Sequence, residues 1–207
     1  MSAFDDLSLI QLIVERGADA VKALPEGIRK NNEAVAETIE NNVRRLIIDE
    51  TPINPKYFER MSELLDALIA QRKQGAIEYQ EYLRKVVELT KRTKNGPGGS
   101  AYPAALDTAA KRALYDNLDK NEALAVAVDA AVRAHRQDDW RGNVFKIKKV
   151  KNAIKAVIEE FESRRGIMDD AGSVGVAGGE AGTYEGQKAT DVVTDQVLEL
   201  VKNQHEY

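Results

Sequence analysis

Cysteine is missing from all 207 residues, so neither disulfides nor thiolate chemistry can hold or serve this chain. Its imidazoles are only two, His135 and His205, and neither has a second ligand at metal-binding spacing. Aromatic residues make up 6% of the chain and Trp140 is the single tryptophan, too sparse a set for a base-stacking track. No run approaches the roughly 18 apolar residues of a membrane span, and the N-terminus lacks the basic-then-apolar order of a secretory signal. These absences predict a cytoplasmic chain with no bound cofactor, no metal, no membrane contact and no catalytic residue of its own.

Nucleotide chemistry is missing as well. LIIDE, residues 46–50, ends as the magnesium-binding strand of many nucleotide hydrolases ends, but no G-x-x-x-x-G-K-[ST] loop accompanies it. VRRLIID instead continues a helical pattern from Val35 and Ile39, which makes Leu46 and Ile47 core residues and puts Asp49 near a helix end. No lysine has an acid two residues before it, so the acid-x-Lys half of a common nuclease signature is absent. The glycines do not form G-x-G-x-x-G either.

What is present is helical periodicity. Strand alternation of useful length does not occur, and 43% apolar residues suffice for a core. Helices are expected at about 5–23, 27–49, 54–73, 77–94, 108–118, 121–136, 143–164 and 189–203, with Asn54, Asp107 and Asn121 as caps and Gly75 as a stop. The expected apolar faces include Tyr57, Phe58, Met61, Leu64, Leu65, Leu68 and Ile69 in the third helix. In the seventh they are Val144, Ile147, Val150, Ile154, Val157, Ile158 and Phe161; in the last, Val192, Val193, Val197, Leu198 and Val201. The fold class is all-α, an irregular bundle of about seven or eight helices forming one domain over 1–207. NGPGGS marks a candidate sub-boundary at 95–103. Residues 166–187, with 7 of the 14 glycines, read as a flexible loop before the C-terminal helix.

Net charge is −4, which does not mark the molecule as a polyanion binder, but the charge is unevenly spread. Arg141, Lys146, Lys148, Lys149, Lys151 and Lys155 give residues 140–155 a charge of +6 with no acid. Residues 166–207 carry 2 bases and 8 acids. On a helical wheel Lys148, Lys151 and Lys155 fall within about 60° of one another beside the apolar stripe, Lys146 and Lys149 flank its other side, and Glu159 follows Lys155 by one turn. Three readings fit this basic stretch: lysine stems along a packed helix, a phosphate grip, or a protein interface anchored by Trp140 and Arg141. Trp140 taken alone reads equally well as a core or loop-pinning indole.

Several stretches carry a family resemblance. ENNVRRLIIDETPINPKYFERMSELLDALI (40–69), EYLRKVVELTKR (81–92), RALYDNL (112–118), DDWRGN with KKVKNAI (138–154) and the terminal VKNQHEY resemble, in order, the C-terminal helical region of the restriction (R) subunit of type I restriction-modification enzymes. Residues 166–187 fall outside the resemblance. It implies that the chain is a piece of a longer subunit, whose nuclease and motor domains would use ATP and magnesium to translocate and cut DNA. The piece itself would be an assembly module docking the motor subunit onto the methyltransferase core. Its implied partners are the modification subunit and the motor domains in cis, with weak duplex-DNA contact through helix 143–164 as the alternative. Candidate partner-binding residues are Arg44, Arg45, Trp140, Arg141, Lys148, Lys149, Lys151 and Lys155.

Overall fold

A computed structural model describes residues 6–96, 102–170 and 181–207, with side chains described over 9–96, 102–165 and 188–207. Among the described residues the chain is all-α, with nine α-helices and no strand. Helix starts and stops follow local chemistry. Gly17 takes a left-handed φ of +61°, which ends α1 (Asp6–Arg16) and turns the chain into a 3-10 segment, Gly17–Ala23. The single helix expected over 5–23 is therefore two pieces. A short turn, α2 (Glu26–Arg29), precedes α3 (Asn32–Glu50), whose cap is Asn31: its side chain accepts from the Glu33 and Ala34 N–H groups.

Helix α4 (Pro55–Lys73) stops as its sequence predicts. Gly75 is left-handed, the Ala76 N–H bonds the Gln71 carbonyl and the Gly75 N–H bonds that of Arg72, which is a Schellman closure. Helix α5 spans Tyr79–Asn95. The cap of α6 (Ala109–Asn117) is Thr108, which accepts from Lys111 N–H; Asp107, expected in that role, instead pairs with the Lys111 ammonium at 2.8 Å. Asn121 caps α7 (Glu122–His135) as expected. Helix α8 (Val144–Asp170) and helix α9 (Ala181–Lys202) both run farther into the glycine-rich tract than expected, since one glycine costs a helix only about 1 kcal/mol relative to alanine. The flexible-loop expectation for the rest of that tract, 171–180, lies outside the described residues.

The helices form two compact units, Met1–Thr51 with Pro55–Ala101, and Pro52–Asn54 with Tyr102–Tyr207. In the first unit α3, α4 and α5 pack on one another and α1 packs on α3 and α5. Their shared core includes Leu9, Ile13, Val35, Ile39, Val43, Met61, Leu65, Tyr82 and Val86, each fully buried. A fully buried aliphatic side chain of this kind contributes about 1.5–3 kcal/mol. In the second unit α8 packs between α7 and α9, and α6 packs on α7 and α9. Leu106, Leu114, Val128, Val132, Trp140, Val150, Ile154 and Val201 are central to that core.

Most expected core positions are buried, including Leu46 and Ile47. Three are not. Leu64 is at the surface, Val192 is half exposed, and Val144 is 78% exposed because α8 begins at that residue, before the helix reaches its neighbours.

Candidate docking surface

Four of the stretches that carry the family resemblance meet in a polar staple of the second unit. Asn54 donates to the Asp116 carboxylate at 2.7 Å and accepts from Asn117 at 2.8 Å, and the Tyr102 hydroxyl donates to the same Asp116 oxygen. Gln204 donates to the Ile53 carbonyl at 2.6 Å. Arg141 closes the set: its guanidinium donates to the carbonyls of Lys202, the last residue of α9, at 2.8 Å and of Gln204, just beyond it, at 2.5 Å. A cation on the carbonyls left open at a helix C-terminus satisfies them and opposes the helix dipole.

Trp140 takes the core alternative. It is 2% exposed in a 3-10 turn, Trp140–Gly142, with the Arg141 guanidinium 5.2 Å from its ring centroid. Among the described residues its indole N–H finds no acceptor. Asp139, just before it, sits at a left-handed φ of +52°, a conformation that aspartate tolerates better than most residues. Asn143 follows and caps α8, accepting from the Phe145 and Lys146 N–H groups at 2.9 and 3.2 Å. DDWRGN thus fixes where α8 starts and how it is held.

The six cations of 140–155 divide by partner. Lys151 pairs with Asp195, and Lys155 with Asp191 at 2.6 Å and more loosely with Glu159 at 3.7 Å; the Thr190 hydroxyl donates to Glu162 at 2.6 Å. Residue numbers rise on one helix as they fall on the other, so α8 and α9 run antiparallel. The hydrogen bond that Lys155 donates to Asp191 holds the pKa of its ammonium above the ordinary lysine value. Lys146 donates to the Asp138 carbonyl and Arg141 holds the tail. Of the six, only Lys148 and Lys149 have neither an acid in ion-pair range nor a hydrogen-bond acceptor among the described residues, and both are exposed. Two of the six cations therefore meet two of the eight acids of 166–207 inside one helix pair.

Beside those two lysines lie the two most exposed of the large apolar side chains described in the second unit. Val144 is 78% and Phe145 80% exposed. Phe145, Lys148, Lys149 and Asn152 recur at helical i, i+3, i+4 and i+7 spacing, so they share the outward face, with Val144 one turn before Lys148. The opposite face holds Val150, Ile154 and Ile158 in the core. Nothing in the helix profits from this arrangement. Lys148 lies three residues from Lys151 and Lys149 three from Lys146, like-charge spacings that cost a few tenths of a kcal/mol each. The first turn carries no acid to favour the helix N-terminus.

Sequence reading misses Phe145 altogether and assigns Val144 to the core. A signal was present: on a helical wheel Phe145 falls about 160–180° from Ile147 and Ile154, opposite the buried stripe. In the first unit Arg44 pairs with Asp66 at 2.6 Å and Arg45 is exposed on the same helix as Ile48, itself 64% exposed. His135 lies at the end of α7, its Nδ1 2.8 Å from the Ala131 carbonyl oxygen. Among the described residues no cluster of three metal-ligating side chains forms, and no helix is long and apolar enough to cross a membrane. No protein-family model, no curated protein and no solved structure matches the chain.

Proposed function

We propose that this chain is the C-terminal helical assembly module of a type I restriction enzyme R subunit, acting in the cytoplasm. It docks the ATP-dependent, DNA-translocating nuclease subunit onto the methyltransferase core and carries out no covalent chemistry itself. ATP and magnesium would serve the motor and nuclease domains of the longer parent. The observation that carries this reading is the exposed start of α8, where Val144 and Phe145 stand in water beside two unpaired lysines on a helix that the family-like stretches hold in place. Contiguous apolar surface with a polar rim is the usual mark of a protein contact.

The duplex-DNA alternative draws less support. Of the three lysines it relies on, Lys151 and Lys155 already hold Asp195 and Asp191, leaving Lys148. Few free cations make few phosphate contacts, and affinity for duplex rises with their number. Sedimentation velocity of the chain with the cognate modification subunit tests the proposal. A complex should form at micromolar concentration; a mixture that never co-migrates counts against assembly.

A further inference from the structure

We infer that the opening turns of α8 are themselves the contact: Val144 and Phe145 enter an apolar recess on a partner protein whose rim supplies carboxylates to Lys148 and Lys149. This rests on the assembly reading above and specifies the chemistry of the partner's face. The argument is one of complementarity. Four side chains on one turn-and-a-half of helix present apolar surface and positive charge together, and the described residues of the chain supply neither an apolar cover nor an acid for them. Asp138 and Asp139 come just before in sequence but reach no ion-pair distance of either lysine. Each neighbouring cation that could share an acid, Lys151 and Lys155, is already paired toward α9.

Other occupants fit less well. In a symmetric pairing of two copies through this face, the acids farther along it, Glu159 and Glu160, already hold Lys155 and Arg164. Nucleic acid would use the two lysines but leave Val144 against a phosphate backbone, where an aliphatic side chain gains little. An acidic protein rim around an apolar recess satisfies all four residues at once, with an aromatic anchor of the type that carries binding energy at protein interfaces.

Isothermal titration calorimetry of the full chain tests this, with the cognate modification subunit and a short DNA duplex as probes at 50 and 200 mM salt. Phe145→Ala should weaken Kd for the subunit about tenfold or more, in the range that separates an anchor from a passive contact. Lys148→Glu with Lys149→Glu should weaken it further and remove most of the salt dependence that the native chain shows. Ile48→Ser, an exposed change in the first unit, should leave Kd unchanged. If the native chain binds and the α8 variants bind equally well, docking stands and this assignment of the face falls. If the native chain does not bind the subunit, the assembly reading fails and the inference with it. Tight duplex binding abolished by the double lysine variant assigns the face to nucleic acid, and self-association lost in Phe145→Ala assigns it to a second copy; either result overturns the inference. Far-UV circular dichroism should show every variant folded, since each changed side chain is exposed.

Discussion

Each unit of the molecule joins a buried tyrosine and a buried acid to an arginine, and the two trios are built alike but held differently. In the first unit the Tyr82 hydroxyl donates to Glu40 at 2.5 Å, Arg72 donates to both Glu40 oxygens and to Glu33, and its guanidinium lies 5.5 Å from the Tyr82 ring centroid. In the second the Tyr207 hydroxyl donates to Asp129 at 2.7 Å and Arg133 donates to both Asp129 oxygens. Arg133 also reaches Glu206 at 3.6 Å and lies 5.2 Å from the Tyr207 ring centroid. The first trio joins three helices, the middle of α3, the last turn of α4 and the first turn of α5. The second joins one turn of α7 to the residues that follow α9, where Glu206 also accepts from the Ala109 and Ala110 N–H groups opening α6. The first is a lock inside a bundle; the second is a latch on a tail.

Burial separates the two in energy. The side chain of Arg72 is 7% exposed and that of Arg133 is 38% exposed. Removing Arg72 strands Glu40 away from water; Asp129 is just as buried, but the half-exposed side chain of Arg133 vacates a position that solvent already reaches, so water can take its place beside the carboxylate. Arg72→Ala should therefore cost about 3–5 kcal/mol, and Arg133→Ala about 1 kcal/mol, in urea unfolding. Hydrogen exchange should place the loss in α3–α5 for the first variant. Equal costs would break the comparison and make the latch a second lock.

The tyrosines sharpen it further. Burial, then the hydrogen bond to Asp129, pushes the Tyr207 hydroxyl well above the usual tyrosine value of 10.0. Because the folded-state value is the raised one, the stability tied to this proton is complete below about pH 10 and is lost as pH climbs from there toward the folded-state value. Tyr207→Phe removes a hydrogen bond to a charged acceptor and should cost about 2 kcal/mol at neutral pH. Above about pH 10 the gap between native and variant stability should narrow, since the variant has no hydroxyl there to titrate. A gap that stays constant through pH 11.5 would show that the Tyr207 proton plays no part in holding the tail.

Local chemistry was the most legible layer of this fold. Gly75, Asn121 and the Phe58, Met61, Leu65 stripe each act through neighbours within a turn or two, so their roles follow from spacing. The trios were not legible, because Glu40, Arg72 and Tyr82 are brought together only by packing, and an acid on an apolar face reads in one dimension as an interruption. The basic stretch shows the same limit from the other side. Both its excess of lysine and the excess of acid in 166–207 were visible, but only the antiparallel pairing of α8 with α9 joins Lys151 to Asp195 and Lys155 to Asp191. What remains after that pairing, Lys148, Lys149, Val144 and Phe145, is a smaller and different site from the one that composition suggested.

That remainder bears on the smallest effect, and the one most revealing in sign. If Lys148 served its own helix, reversing its charge would destabilise the chain. Its neighbours imply the opposite: it repels Lys151 across one turn and sits in the half of α8 nearer the positive end of the helix dipole, though past the first turn, where that field is fading. Lys148→Glu should therefore leave thermal stability unchanged or raise it by a few tenths of a kcal/mol, visible as a shift of about 1 °C in Tm at low salt that shrinks as salt is added. A loss of more than about 0.5 kcal/mol would mean that the lysine serves the fold after all, and the outward face of α8 would then belong to the scaffold rather than to a partner.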